Sequence, residues 1–168
     1  VENKMTNQNE IANVEVQAEL VVRENDRYSV IKDAEGKFKR KAKYNHFSSI
    51  KAESRADKIW MMNLLEGTEE SGQGLKDHVG KHIEVSDIIT RPYDRINEET
   101  GTEEYGVLTY LITPDKTVYV TSSKSVYFTI IHIMELFGTP NDADWENITI
   151  KVLTEKGANG NIIKIKLV

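Results

Sequence analysis

The side chains best equipped for catalysis are present in this sequence, but not in combinations that do chemistry. Of the four histidines, His46, His78, His82 and His132, only His78 and His82 share a helix-like i,i+4 spacing, and Gly80 between them works against a helix. Neither GxxxxGK[ST] nor GxGxxG occurs, and Gly72-Gln73-Gly74 lacks the lysine and the preceding strand of a phosphate loop. Carboxylates at Glu84, Asp87, Asp94, Glu98, Glu99, Glu103 and Glu104 lie mostly in a polar loop, without the convergence a two-metal nuclease requires. Ser122, Ser123 and Ser125 have no recognisable base or oxyanion partner. With no cysteines, disulfides, thiolate metal sites and a thiol nucleophile are excluded. No catalytic residue, metal ligand or cofactor is expected.

Binding chemistry has more material. The formal net charge is −5, yet residues 27–58 hold ten Lys/Arg against four Asp/Glu. A basic segment in an acidic chain is a local electrostatic footprint, which the overall charge does not veto. Within it, Lys37, Lys39, Arg40, Lys41 and Lys43 alternate with Phe38, Tyr44 and Phe47. Such a mixture suits a surface that grips phosphates and offers rings to unpaired bases. Arg91, Tyr93 and Arg95 form a second cluster, and Tyr105, Tyr110 and Tyr119 lie on the strands that follow. Alternation sets Tyr119 opposite Val118 and Val120 and makes it the leading stacking candidate, whereas Tyr110 shares parity with the apolar Leu108 and Ile112. Lys164 and Lys166 share a strand face and extend the basic surface, and Trp145 is assigned to packing.

These side chains need elements to hold them. Residues 14–22 and 27–32 read as strands joined through Glu24-Asn25-Asp26, and the basic stretch 37–47 follows as an arm. Residues 54–66 form a helix capped by Ser54 and ended by Gly67, its apolar stripe being Ile59, Met62 and Leu65 with Trp60 and Leu64. Residues 68–74 make a flexible connector. From Lys81 to Tyr93 runs a strand interrupted at Asp87; residues 105–112 and 117–121 pair across Pro114-Asp115. Residues 125–137 are rich in β-branched side chains, but their length, a Ser123 or Ser125 cap, and Gly138 with Pro140 favour a buried helix. A final hairpin, 148–153 with 162–167, turns at Asn159-Gly160.

The expected class is mainly β with helices (α+β). The chain divides into a polar lead-in (1–13), a region of strands, basic arm and helix packed on the body (14–75), and an OB-like five-stranded barrel (76–168). Its helix lies between the third and fourth strands. No apolar run approaches the roughly 20 residues of a membrane span, and the polar start lacks a signal-peptide pattern, so a cytoplasmic location is expected.

The stretch KHIEVSDIITRPYDRINEETGTEEYGVLTYLITPDKTVYVTSSKSVYFTIIHIMELF, Lys81 to Phe137, resembles phage- and plasmid-encoded single-stranded DNA-binding proteins of Gram-positive bacteria. The resemblance implies an OB-fold and sequence-tolerant binding of single-stranded DNA in replication or transfer, without catalysis. RNA and the proteins of replication or transfer are further expected partners. The common bacterial single-strand-binding protein ends in an acidic, apolar recruiting tip, whereas KIKLV stands here, so recruitment through such a tip is not expected. Two rival readings remain open at this point. One is a protein-interaction module that presents the tyrosines and basic arm to an acidic partner; the other is a metal-dependent nuclease built on the acids between Asp87 and Glu104.

Overall fold

The computed structural model describes residues 20–25, 27–67 and 72–168. The lead-in over 1–13, the start of the first expected strand (14–19) and most of the expected connector (68–71) lie outside the described residues. The chain divides into two compact units between Lys43 and Tyr44.

The first unit is a three-stranded antiparallel sheet in the order β1-β2-β3, built from β1 (Leu20–Glu24), β2 (Tyr28–Lys32) and β3 (Phe38–Ala42). The turn before β2 is made by Asn25, whose carboxamide oxygen accepts hydrogen bonds from the Arg27 and Tyr28 amides. Asp33 does the same for Glu35 and Lys37 in the next turn, where Gly36 supplies a φ of +80°. The basic stretch expected as an irregular arm is thus in part a strand, because β2 offers Phe38–Ala42 a free edge.

The second unit contains β4 (Phe47–Ser48), α1 (Arg55–Leu65), β5 (Gln73–Gly74), β6 (His82–Glu84), β7 (Asp87–Ile96) and β8 (Glu103–Ile112). After these come β9 (Val118–Thr121), α2 (Lys124–Phe137), β10 (Thr149–Gly157) and β11 (Gly160–Leu167). One sheet runs β4-β7-β8-β9-β5 and the other β11-β10-β6. The strand expected from Lys81 to Tyr93 is broken at Val85-Ser86, and its halves join different sheets. Three contacts hold this corner: the Val85 amide donates to the Ile148 carbonyl, the Ser86 amide to the Ile112 carbonyl, and the Trp145 indole to the Val85 carbonyl at 2.8 Å. Trp145 is therefore a packing residue, as its position suggested. Among the described residues no ladder joins β9 to β11, so the expected closed barrel gives way to two open sheets linked by this corner.

Residues 125–137 are helical despite their β-branched content. The Ser123 hydroxyl accepts from the Val126 amide and donates to the Ile163 carbonyl at 2.7 Å, tying the start of α2 to β11. Val126, Tyr127, Ile130 and Ile133 are buried along one stripe, and this burial outweighs the weak local preference for strand. Val126, Ile130 and Ile133 pack with Leu75, Ile83, Val85, Ile88, Leu111 and Trp145 between the two sheets.

The opposite face of β7-β8-β9 is covered too. There Ile89, Tyr110, Ile112 and Val118 pack with Leu64, Trp60, Met61 and Leu65 of α1. The stripe expected to bury Ile59 and Met62 is rotated: both are more than half exposed, and Leu64 is the fully buried residue of the helix. Ser54 caps α1, accepting from the Asp57 amide at 3.0 Å and donating to its carboxylate at 2.6 Å. Together with Lys116, that hydroxyl holds the Asp57 carboxyl below the usual aspartate range. Ser54→Ala is expected to lower stability by about 1 kcal/mol, measured by urea denaturation.

Candidate nucleic-acid interface

Beyond their pairing with β4 and β9, β7 and β8 continue as a two-stranded ribbon, and their register assigns each candidate side chain to a face. Arg91, Tyr93 and Arg95 alternate along β7 and share one face, opposite Leu108, Gly106 and Glu104 of β8. The sequence cluster is thus brought together. Its members nonetheless have different tasks. Arg91 donates to the Leu65 carbonyl at the end of α1, satisfying a helix-terminal acceptor. Tyr93 lies across Gly106, where a Cβ would sit 2.5 Å from the phenol oxygen, so only glycine lets the ring lie so close to the strand. The Arg95 guanidinium stands 5.4 Å from the Tyr93 ring and 2.6 Å from the Glu104 carboxylate. That ion pair raises the pKa of Arg95 and lowers that of Glu104, which also accepts from Asn97.

The other face carries Tyr105, cross-strand from Asp94. Its ring centroid is 5.2 Å from that of Tyr44, and the Tyr44 ring lies 5.2 Å from Tyr127 and 6.3 Å from Phe128. Tyr127 anchors the group: it is buried, and its hydroxyl accepts from the Asn45 amide at 3.0 Å. Thr90 donates to the Asn45 carbonyl at 2.6 Å, so the segment that presents Tyr44 is held from both sides. Tyr105 is 42% exposed, and Tyr44 and Phe128 are half-buried. These aromatics form a patch offered to solvent on a rigid base. Tyr127 and Phe128 escape a sequence reading because they sit in a helix legible only as core.

Two tyrosines are not available for stacking. Tyr119 is 3% exposed and belongs to the core between the sheets, its hydroxyl bonded to the Lys81 ammonium and its ring 5.0 Å from His78. The expectation that it faces solvent assumed that one side of β9 is wet; in fact α1 covers the Val118 side and the inter-sheet core covers the Tyr119 side. Tyr110 is likewise buried, under α1, and burial raises its phenol pKa. Phe47 packs half-buried against the core and is a support more than a platform.

On the second sheet, Lys166 is paired across to Lys151, and Lys151 to His82, so this row lies on one outer face. Lys164, on the same side of β11, forms an ion pair with Glu155. In the N-terminal sheet Lys37, Lys39 and Lys43 form ion pairs with Glu35, Asp33 and Glu24, whereas Phe38 is 65% exposed. Among the described residues no cluster of three or more His, Asp or Glu is placed to hold a metal ion, and no helix is long and apolar enough to cross a membrane.

A family model described as phage single-stranded DNA-binding protein matches residues 40–167. A single-stranded DNA-binding protein of Bacillus phage GA-1 is 38% identical over 162 residues, which cover 95% of each chain. No solved structure matches. The matched stretch takes in both helices, both sheets of the second unit and the whole aromatic patch around Tyr105, and with it the chain belongs to the phage single-stranded DNA-binding protein family.

Proposed function

We propose that this chain binds single-stranded DNA without catalysis and without strong sequence preference, during phage DNA replication in the host cytoplasm. Bases stack on Tyr105, Tyr44 and Phe128 and on Tyr93 beside Arg95, and basic side chains including Lys41 and Lys166 take phosphates. Within this reading the second unit is an open OB-type body. Its strands are the bent β6–β7, then β8, β9, β10 and β11, with α2 between the third and fourth. The observation that carries the proposal is the Tyr44–Tyr105–Phe128 patch: rings held at stacking distances on a fixed base and left partly exposed. Stacking suits it to sequence-tolerant binding because every base has a π-face.

A titration tests the reading. Anisotropy of a labelled oligothymidylate is expected to show binding that weakens with salt. Four phosphate contacts would give a log–log slope of about −3, at about −0.7 per phosphate on a single strand. Duplex of equal length should compete poorly. Absence of binding to any single strand at low salt would end the proposal.

A further inference from the structure

The N-terminal sheet has two unlike faces, and one of them repeats the chemistry of a single-strand site. Register places Arg23 and Arg40 on either side of Val30, one on each outer strand and both on the same face of the sheet. Arg23 reaches that row because the β1 ladder shifts between Val21 and Arg23, skipping Val22. The two arginines, with Asn25, Tyr28 and Val30, line a cleft of about 110 Å³. Two residues along β2 in one direction is Tyr28, whose ring lies 4.8 Å from the Arg40 guanidinium. Two residues in the other direction is Lys32, paired across to Phe38, with its ammonium 5.9 Å from that ring.

From this arrangement we infer that the face of Arg23, Tyr28, Val30, Lys32, Phe38 and Arg40 is a separate contact surface for single-stranded DNA. A phosphate sits between Arg23 and Arg40 over Val30, and bases stack on Tyr28 and Phe38 on either side. The inference rests on the single-strand-binding reading and adds to it a surface that lies largely outside the family match, which begins at residue 40.

Charge complementarity selects this occupant. Residues 20–43 hold eight Lys/Arg against four Asp/Glu in a chain of net charge −5. Glu24, Asp33 and Glu35 engage Lys43, Lys39 and Lys37, and among the described residues Arg23, Lys32 and Arg40 form no ion pair with an acid. Like charges placed around one cleft repel each other until an anion enters it. The ring rows lie about 13 Å apart at about 3.3 Å per residue, with the arginine pair midway between them, so the bases that stack are not neighbours in the strand. Phe38, at 65% exposed, is an open platform. The carboxamide oxygen of Asn25 is engaged with the turn amides, so the face offers phosphate and stacking contacts with little means of reading base edges.

The full chain is the reagent for the test. R23Q/R40Q is expected to make the log–log salt slope for oligothymidylate shallower by about 0.7, one phosphate's worth. R23K/R40K should keep most of the slope, and K76Q/K156Q should leave it unchanged. Phe38→Ala is expected to weaken binding on the order of tenfold. Ultraviolet cross-linking of the unmodified protein to oligothymidylate should yield adducts on Tyr28 and Phe38, a readout independent of any variant's folding. If the unmodified protein binds DNA but neither the slope nor the adducts behave in this way, the inference fails while the single-strand-binding reading stands. A slope lost equally in K76Q/K156Q would mean bulk charge and overturn it. A change in sedimenting mass at constant slope would make this face a contact between copies of the chain and also overturn it. No binding by the unmodified protein removes the underlying reading, and the inference falls with it.

Discussion

Tyr105→Ala is expected to weaken binding of single-stranded DNA by about 1–3 kcal/mol, roughly a five- to 150-fold rise in Kd. The size follows from the loss of one stacking ring, and the selectivity from its place in the patch. Tyr105 is 42% exposed on the ribbon, so its removal leaves the core intact and the unfolding midpoint close to that of the unmodified protein. Tyr105→Phe keeps the ring and should keep most of the affinity. Tyr44 touches both Tyr105 and the Tyr127 anchor, so the double variant with Tyr44→Ala should lose less than the sum of the single losses. Binding by Tyr105→Ala indistinguishable from the unmodified protein would move the base platform elsewhere.

The other large effect belongs to the fold. Ile130→Ala should lower the unfolding free energy by about 2–5 kcal/mol, because the side chain is nearly inaccessible and its removal leaves a cavity among Leu111, Val126 and their neighbours. The urea midpoint should fall at an unchanged m value. Leu136, on the same helix but 77% exposed, supplies the contrast: Leu136→Ala should shift stability by no more than about 0.5 kcal/mol. Near-equal losses for the two would mean that α2 is not the wedge between the sheets.

Together these variants separate scaffold from surface. Ile130 and Tyr127 set the position of α2. Tyr127 in turn holds Asn45 and the Tyr44 ring, so patch geometry depends on core packing. A core variant that loosens α2 would be expected to lose DNA affinity as well, whereas Tyr105→Ala is expected to change affinity alone.

Much of this was legible from residue order. Turn chemistry and alternation located β2, β8, β9 and the β10–β11 hairpin, although the hairpin loop is only Ala158-Asn159 and its strands run longer than the apolar pattern. The cap at Ser123 and the stop at Gly138 outweighed β-branched composition at α2, because capping and length are local signals that survive folding. The pairing of positive charge with aromatic rings is likewise a property of composition, and it points to unpaired nucleic acid without reference to the fold.

Tertiary structure decided which rings remain accessible. Alternation states which residues share a face of a strand, but whether that face is dry depends on what docks from a distance. Docking of α1 buried Tyr110, the inter-sheet core took Tyr119, and the end of the same helix drew Arg91 onto the Leu65 carbonyl. The bend at Val85-Ser86 depends on partners at Ile112, Trp145 and Ile148, far away in sequence, so Asp87 could mark an interruption without revealing that the strand changes sheets. The aromatic patch is the clearest case: Tyr44, Tyr105 and Phe128 come from a loop, a strand and a helix. Only long-range packing gathers them, and no local pattern encodes that.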